Sequence, residues 1–310
     1  MSSIPFVTLD APRYGAAVRV SPLVRRVIAE NPSKFTYFGT GTYIIGSGDV
    51  AVIDPGPILD GHRDALAAAL EGERVTAILI THCHSDHSPL AAWLRESSGA
   101  PTIAFGPHAI IASDDDDEGE GAELEPGMTL EETTDTGFVP DVRVADGDIA
   151  AAGTGWTMRA VHTPGHTSNH MCYALEEERS LFTGDHVMGW STTVVSPPDG
   201  DMRDYIDSLR KVIARNDASL WPTHGAPVTD PQPFLAAFLE HRLEREAQVL
   251  AAVRSGQSAI PGMVEQMYAD VRPELHKAAG RSVLSHLIKL VDDREITVEG
   301  HGKSARYLPT

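Results

Sequence analysis

The chain of 310 residues contains only two cysteines, Cys83 and Cys172. Two are too few for a disulfide framework, so a reducing cytoplasm is the expected home. No run of eighteen apolar residues occurs, which excludes a membrane-spanning helix. The opening MSSIPFVTLDAPRYG has no basic stretch followed by an apolar one, so no secretory signal is expected. A GxSxG nucleophile elbow and a GxxxxGK[ST] phosphate loop are both missing, which argues against serine-hydrolase and P-loop chemistry. Basic residues are scarce, 25 Lys and Arg against 44 Asp and Glu, for a net charge of −19. Residues 241–310 hold ten Lys and Arg against nine Asp and Glu, so the acidic excess lies upstream. Eight of those acids, with no base among them, fall within Asp114–Glu125. Such a surface repels phosphate backbones, and the run itself reads as a solvated loop.

What is present is an ordinary globular composition, 42% apolar and 22% charged, long enough for about two domains. Phe35–Ile45 and Val50–Asp54 read as strands around a Gly46–Asp49 turn, and Asp60–Leu70 as a helix. Val75–Thr81 is a short apolar run expected to be buried on both faces. Ser88 and Pro89 suit the N-cap and first position of the next helix. Strand patterns recur at Trp156–Thr163 and Ser180–Asp185, and the alternation predicts an α/β or α+β class. From residue 234 the pattern changes. Phe234–Arg254 is a long amphipathic helix, Gly262–Tyr268 and Leu275–Val291 are helical, and two short strands flank Gly300–Lys303. The expected organisation is a catalytic domain over 1–233 and a winged-helix-like appendage over 234–310.

Four metal-ligating side chains crowd into six residues, His82, His84, Asp86 and His87, on a strand-to-helix loop. An i, i+2 spacing does not share a helix face, but on a loop two such imidazoles can chelate one ion. Asp86 and His87 are then free to turn toward a second. Nitrogen donors with a carboxylate favour zinc, with iron or manganese as alternatives. Three further candidates sit beside glycine in turns: His166 in TPGHT, Asp185 in TGDH and His224 in PTHG. Taken singly, each is an ordinary turn residue. Together with the cluster they make five histidines and two aspartates, enough for two ions.

The motif THCHSDH, followed in order by TPGHT, TGD and PTHG, closely resembles the metallo-β-lactamase superfamily over roughly residues 20–230. The opening SPLVRRVIAENPSKFTYFGTGTYIIG and the C-terminal region resemble its lactamase-β-2-like branch, some of whose members are endoribonucleases. The resemblance implies a four-layer αββα sandwich with the winged-helix-like unit appended. It assigns His82, His84 and His166 to one metal, Asp86, His87 and His224 to the other, and Asp185 to the bridge. It further implies a dinuclear zinc hydrolase using a metal-bridging hydroxide, with Asp86 orienting the nucleophile. Asp54, in VIDPGP, is then a supporting residue rather than a ligand. Ser88-Pro89 departs from the glycine pair of many relatives.

A small-molecule ester or thioester is the expected substrate, with RNA or another phosphodiester as the alternative. A mono-iron sulfur dioxygenase is the rival of a different class. A homodimer is the candidate assembly, and no membrane partner is expected. His170 is the candidate for a substrate-facing catalytic group. Cys83 and His162 read as packing residues, His186 as support for the bridge, and Trp93 and Trp190 as core or pocket wall. The acidic run is expected near the mouth of the site.

Overall fold

The computed structural model describes residues 4–108, 133–269 and 276–310. The acidic run Asp114–Glu125, with its expected place at the site mouth, lies outside the described residues. Two sheets carry the first two thirds of the chain. The first contains β1 (Val18–Arg19), β2 (Val24–Ile28), β3 (Gly41–Ser47), β4 (Asp49–Ile53), β5 (Arg74–Leu79), β6 (Thr102–Ala104) and β7 (Val142–Arg143) in sequence order. It is antiparallel through β4 and parallel from β4 to β7. The second contains β8 (Ile149–Gly153), β9 (Trp156–His162), β10 (Met171–Leu175), β11 (Ser180–Gly184) and β12 (Ser219–Pro222), ordered β12-β11-β10-β9-β8. Only β11 and β12 pair in parallel within it.

Period-2 alternation splits each strand between two cores. Tyr43, Ile45, Ile53 and Leu79 of the first sheet meet Trp156, Met158, Tyr173 and Phe182 of the second in the central core. The intervening Ile44, Val52 and Ile78 face outward, under α1 (Asp60–Ala69) and α2 (Ala91–Ser98). Cys172, Ala174 and Leu181 face the opposite way, under α3 (Met202–Arg215) and α4 (Pro231–Arg254). Helix, sheet, sheet and helix form the four expected layers. Because both faces of the central strands are covered, β3, β4, β10 and β11 are buried along nearly their whole length.

Two local expectations are corrected. Strand β3 begins only at Gly41, not Phe35. Ser33 Oγ accepts from the amides of Phe35 and Thr36 at 3.0 and 3.1 Å, and Tyr37 is left-handed at φ 60°, so the stretch before Gly41 closes a turn. Helix α2 begins at Ala91 without a side-chain cap. Ser88 Oγ instead donates to the Asp135 carboxylate at 2.8 Å.

Helix α4 spans two cores. Its Phe234, Leu235 and Phe238 pack beneath the second sheet, while Val249, Ala252 and Val253 pack with α5 (Ile260–Met267) and α6 (His276–Asp292). The hairpin of β13 (Ile296–Glu299) and β14 (Arg306–Pro309) completes that smaller unit. The cores therefore change over within α4, beyond its third residue, where the sequence pattern places the boundary. Among the described residues no helix is long and apolar enough to cross a membrane.

Phe238 is fully buried where α3 and α4 meet the second sheet. Phe238→Ala is expected to cost about 3–5 kcal/mol of stability in denaturant unfolding. A loss below about 1 kcal/mol would show that α4 is not part of this core.

Candidate metal centre

The ends of five strands supply the site. Asp54 follows β4, His82 to His87 follow β5, His166 lies in the turn between β9 and β10, Asp185 follows β11, and His224 follows β12. Strand ends from both sheets thus converge on one sheet edge, stitched together by Met171 N donating to Thr81 O at 2.8 Å and Gly41 N to Thr223 O at 2.9 Å. Two glycines let these turns approach closely. Gly165 adopts φ +131°, and a Cβ there would stand 2.3 Å from Tyr205 Cα. A Cβ on Gly184 would stand 2.6 Å from His170 Nε2.

The seven sequence candidates fall into two adjacent clusters. In each, one ligand-type atom per residue lies within 4.8 Å of the others: His82, His84, His166 and Asp185 in one, Asp86, His87 and His224 in the other. Asp185 reaches both, with Oδ2 3.8 Å from His166 Nε2 and Oδ1 3.6 and 3.4 Å from the Nε2 atoms of His87 and His224.

The surrounding hydrogen bonds define which ring nitrogens are bare. His166 Nδ1 faces the Val194 carbonyl at 2.6 Å, which can only accept, so Nε2 carries the lone pair. Thr81 Oγ1 donates to Asp54 Oδ2 at 2.7 Å and therefore accepts from His82 Nδ1 at 3.0 Å, leaving His82 Nε2 bare. Those two lone pairs both point at His84 Nδ1, at 2.9 and 3.2 Å. One proton cannot satisfy three converging nitrogens. In the second cluster, His87 Nδ1 donates to Asp54 Oδ2 at 2.8 Å and His224 Nδ1 to Gly39 O at 3.2 Å. Their Nε2 atoms then face Asp86 Oδ2, at 3.4 and 3.2 Å, so that either a proton or a metal ion stands between ring and carboxylate. His87 Nε2 and Asp185 Oδ1 are buried with no hydrogen-bond partner. Bare lone pairs aimed at one another and at carboxylates are repulsive unless a cation lies between them. The donor set therefore fits divalent metal.

The electrostatics divide along the same line. Burial, reinforced by neighbouring imidazoles, pushes His82 well below the usual range and His84 to about 3, favouring the neutral, ligating form. Burial also opposes charge on His224, but Asp185 and Asp86 overcome it and raise that ring to about 10. Asp86, despite the opposing effect of burial, is held at about 2 by His87 and His224. Without metal, the carboxylates draw protons onto the second cluster, the expected behaviour of a site built for cations.

His170, the candidate for a substrate-facing group, is turned into the protein. It is fully buried, Nδ1 meets Thr163 Oγ1 at 2.9 Å, and Nε2 accepts from Asp185 N at 3.2 Å. Both nitrogens are engaged, one by Thr163 and the other by the Asp185 backbone amide. Cys83 is buried, burial raises its thiol to about 11, and Sγ accepts from Asn169 Nδ2 at 3.1 Å. His162 stacks on Phe105 at 4.0 Å, Trp190 stacks on Tyr37 at 5.0 Å, and Trp93 packs under the first sheet. His186 is buried against Tyr205. Sequence reasoning missed Thr40, whose Oγ1 donates to Asp86 Oδ2 at 2.7 Å, and the roles of Thr81, Thr163 and Thr193. Thr81 and Thr163 flank the histidine motifs, a signal that could have found them. Thr40 and Thr193 have no such signal. A cavity of about 330 Å³ opens beside the clusters, its walls including His84, His166, Asp185, Phe35, Met188 and Val194.

Residues 36–224 match the profile of the metallo-beta-lactamase superfamily. The chain belongs to that superfamily. Residues 260–303 match the beta-lactamase associated winged helix domain, which accounts for α5, α6 and the strand that follows. An atrochrysone carboxyl ACP thioesterase of Aspergillus chevalieri is 31% identical over 304 residues, covering 93% of this chain and 87% of that protein. The lactamase-like protein adaB of Aspergillus niger is 30% identical over 316 residues, covering 96% and 89%. A beta-lactamase domain protein from Burkholderia ambifaria has the same fold, with a TM-score of 0.77 at 23% identity over 96% of this chain and 95% of that one. Within the metallo-beta-lactamase superfamily, the paired His/Asp clusters mark this chain as a metal-dependent hydrolase.

Asp54→Ala would strip His87 Nδ1 and Thr81 of their shared acceptor. It is expected to weaken metal binding about 10–100-fold in chelator competition. Wild-type affinity in a folded Asp54→Ala variant would show that this carboxylate does not orient the ligands.

Proposed function

We propose that the chain is a dinuclear zinc thioesterase that releases an acyl group from an acyl carrier protein. The observation that carries this reading is a pair of donor clusters, one buried and one partly exposed, sharing Asp185, in a chain similar over 93% of its length to a protein named a thioesterase. His82, His84 and His166 would hold one zinc ion, Asp86, His87 and His224 the other, with Asp185 between them. When bound, the ions supply Lewis-acid polarisation of the thioester carbonyl and activation of water near neutral pH.

The chain's own residues supply rigidity and shape. Thr40 fixes the Asp86 carboxylate, Thr81 and Asp54 fix the His82 and His87 rings, and the Val194 carbonyl fixes His166. Phe35, Met188 and Val194 give the cavity apolar surface for an acyl chain beside the clusters. The reaction adds water across the acyl C–S bond and yields a carboxylic acid and a free thiol. A net charge of −19 favours such an acyl group over RNA. A mono-iron dioxygenase would need one cluster only, whereas Asp86, His87 and His224 have buried supports of their own.

The test is thiol release from acyl thioesters of N-acetylcysteamine and of a carrier protein by the zinc-loaded chain. Hydrolysis of esters, lactams or short RNAs with no thiol release would overturn the proposal. Asp185→Asn is expected to lower turnover by more than about 100-fold while circular dichroism stays native. Chelation is expected to abolish turnover and lower the melting temperature, since metal saturating at 1,000 times Kd contributes about 4 kcal/mol. Full activity after verified demetallation would reject the metal's role.

A further inference from the structure

Arg242 is an unusual residue to bury. It lies on α4 between Phe238 of the large unit's core and Val249 of the small unit's core, and is 3% exposed. Its guanidinium sits over the Tyr205 ring, 5.0 Å from the centroid, and Nη2 donates to the Thr193 carbonyl. A buried cation requires compensation, and here an aromatic face and a backbone carbonyl supply part of it, while Nε is buried without a hydrogen-bond partner.

The residue it grips is placed to matter. Thr193 Oγ1 lies 2.8 and 3.0 Å from the carbonyls of Asp185 and His186, which share its single proton. The carbonyl of the next residue, Val194, takes the Nδ1 proton of His166 at 2.6 Å. Tyr205, beneath the guanidinium, donates its hydroxyl to His186 O at 2.8 Å. One short segment thus sets both the backbone of Asp185 and the ring of His166, two members of one cluster, and Arg242 holds that segment from α4.

We infer that Arg242 and Thr193 form a latch by which the helix leading into the winged-helix unit positions Asp185 and His166 for metal. Arg242 is a positioning residue that acts through Thr193. Lysine could neutralise little of the loss, because a compact ammonium cannot both lie flat on Tyr205 and reach the carbonyl in the same fixed geometry.

The inference rests on the metal reading above, and its test uses metal binding rather than turnover. Zinc affinity by chelator competition, and the visible absorption of the Co(II)-substituted protein, would be compared for wild type, Arg242→Gln, Arg242→Lys, Thr193→Val and the double variant Arg242→Gln/Thr193→Val. Arg203→Gln serves as control, since it breaks the exposed 2.7 Å pair between Arg203 of α3 and Asp293, the residue after α6, away from the Thr193 loop. Arg242→Gln and Thr193→Val are each expected to weaken binding about tenfold and to alter the Co(II) bands. The double variant should be little worse than either single one, and Arg203→Gln should match wild type. Wild-type affinity and spectra in folded Arg242→Lys and Thr193→Val would overturn the latch, even if both melt earlier. If Arg242→Gln does not fold, those two variants decide the matter. A wild-type chain that binds no metal would sink the metal reading itself, a separate outcome.

Discussion

Asp54 is fully buried at the edge where the two sheets meet, and its carboxylate accepts four hydrogen bonds. The donors are Thr81 N at 2.8 Å, Thr81 Oγ1 at 2.7 Å, His87 Nδ1 at 2.8 Å and Thr223 Oγ1 at 3.3 Å. They come from the segments after β5 and β12, so one charge ties together loops from both sheets. A buried carboxylate left short of donors is costly, and this one is met on every side. Its orientation propagates outward. Thr81 passes it to His82, and His87 receives it directly, so one ligand of each cluster takes its tautomer from Asp54. The centre depends on this anion as much as on the histidines themselves.

The rest of the site repeats the device with different acceptors. Four of the five candidate rings, His82, His87, His166 and His224, spend one nitrogen on the protein and present the other. Val194 O fixes His166 and Gly39 O fixes His224. The Asp185 backbone amide is held in turn by His170 Nε2, and the Asp86 carboxylate by Thr40 Oγ1. Pre-orienting ligands in this way lowers the cost of assembling the site when a cation enters, and ties metal affinity to the integrity of the loops. It also explains why His170, a histidine in the midst of the site, is better understood through its buried contacts than through any approach to substrate.

Helix α4 gives the smaller unit a hand in this arrangement. One end is welded into the core under the second sheet and the other into the core of the winged-helix unit. Between them lies a polar stretch in which Arg242 faces the Thr193 loop and Glu246 meets Lys289 of α6 at 2.8 Å. The two cores are thus joined by a continuous rigid element rather than by a mobile linker, and the joint passes beside the metal centre.

The sequence by itself determined the strand and helix types, because apolar runs of strand length and amphipathic helical spacing are local properties. It also determined the seven candidate donors, since His82, His84, Asp86 and His87 are packed too closely in sequence to be incidental. The order of the later turns carried His166, Asp185 and His224. Tertiary structure alone decided how those donors are supported. Thr40 is 46 residues from Asp86, and Arg242 is 49 from Thr193. A threonine or arginine supporting a site from such a distance leaves no spacing to read. It likewise decided the fate of His170, because which way a turn histidine faces depends on the Thr163 and Asp185 contacts made only when β9, β10 and β11 are paired. The misplaced starts of β3 and α2 have the same origin. Ser33 and Ser88 were drawn to particular partners by the folded chain, and local propensity contains no record of those partners.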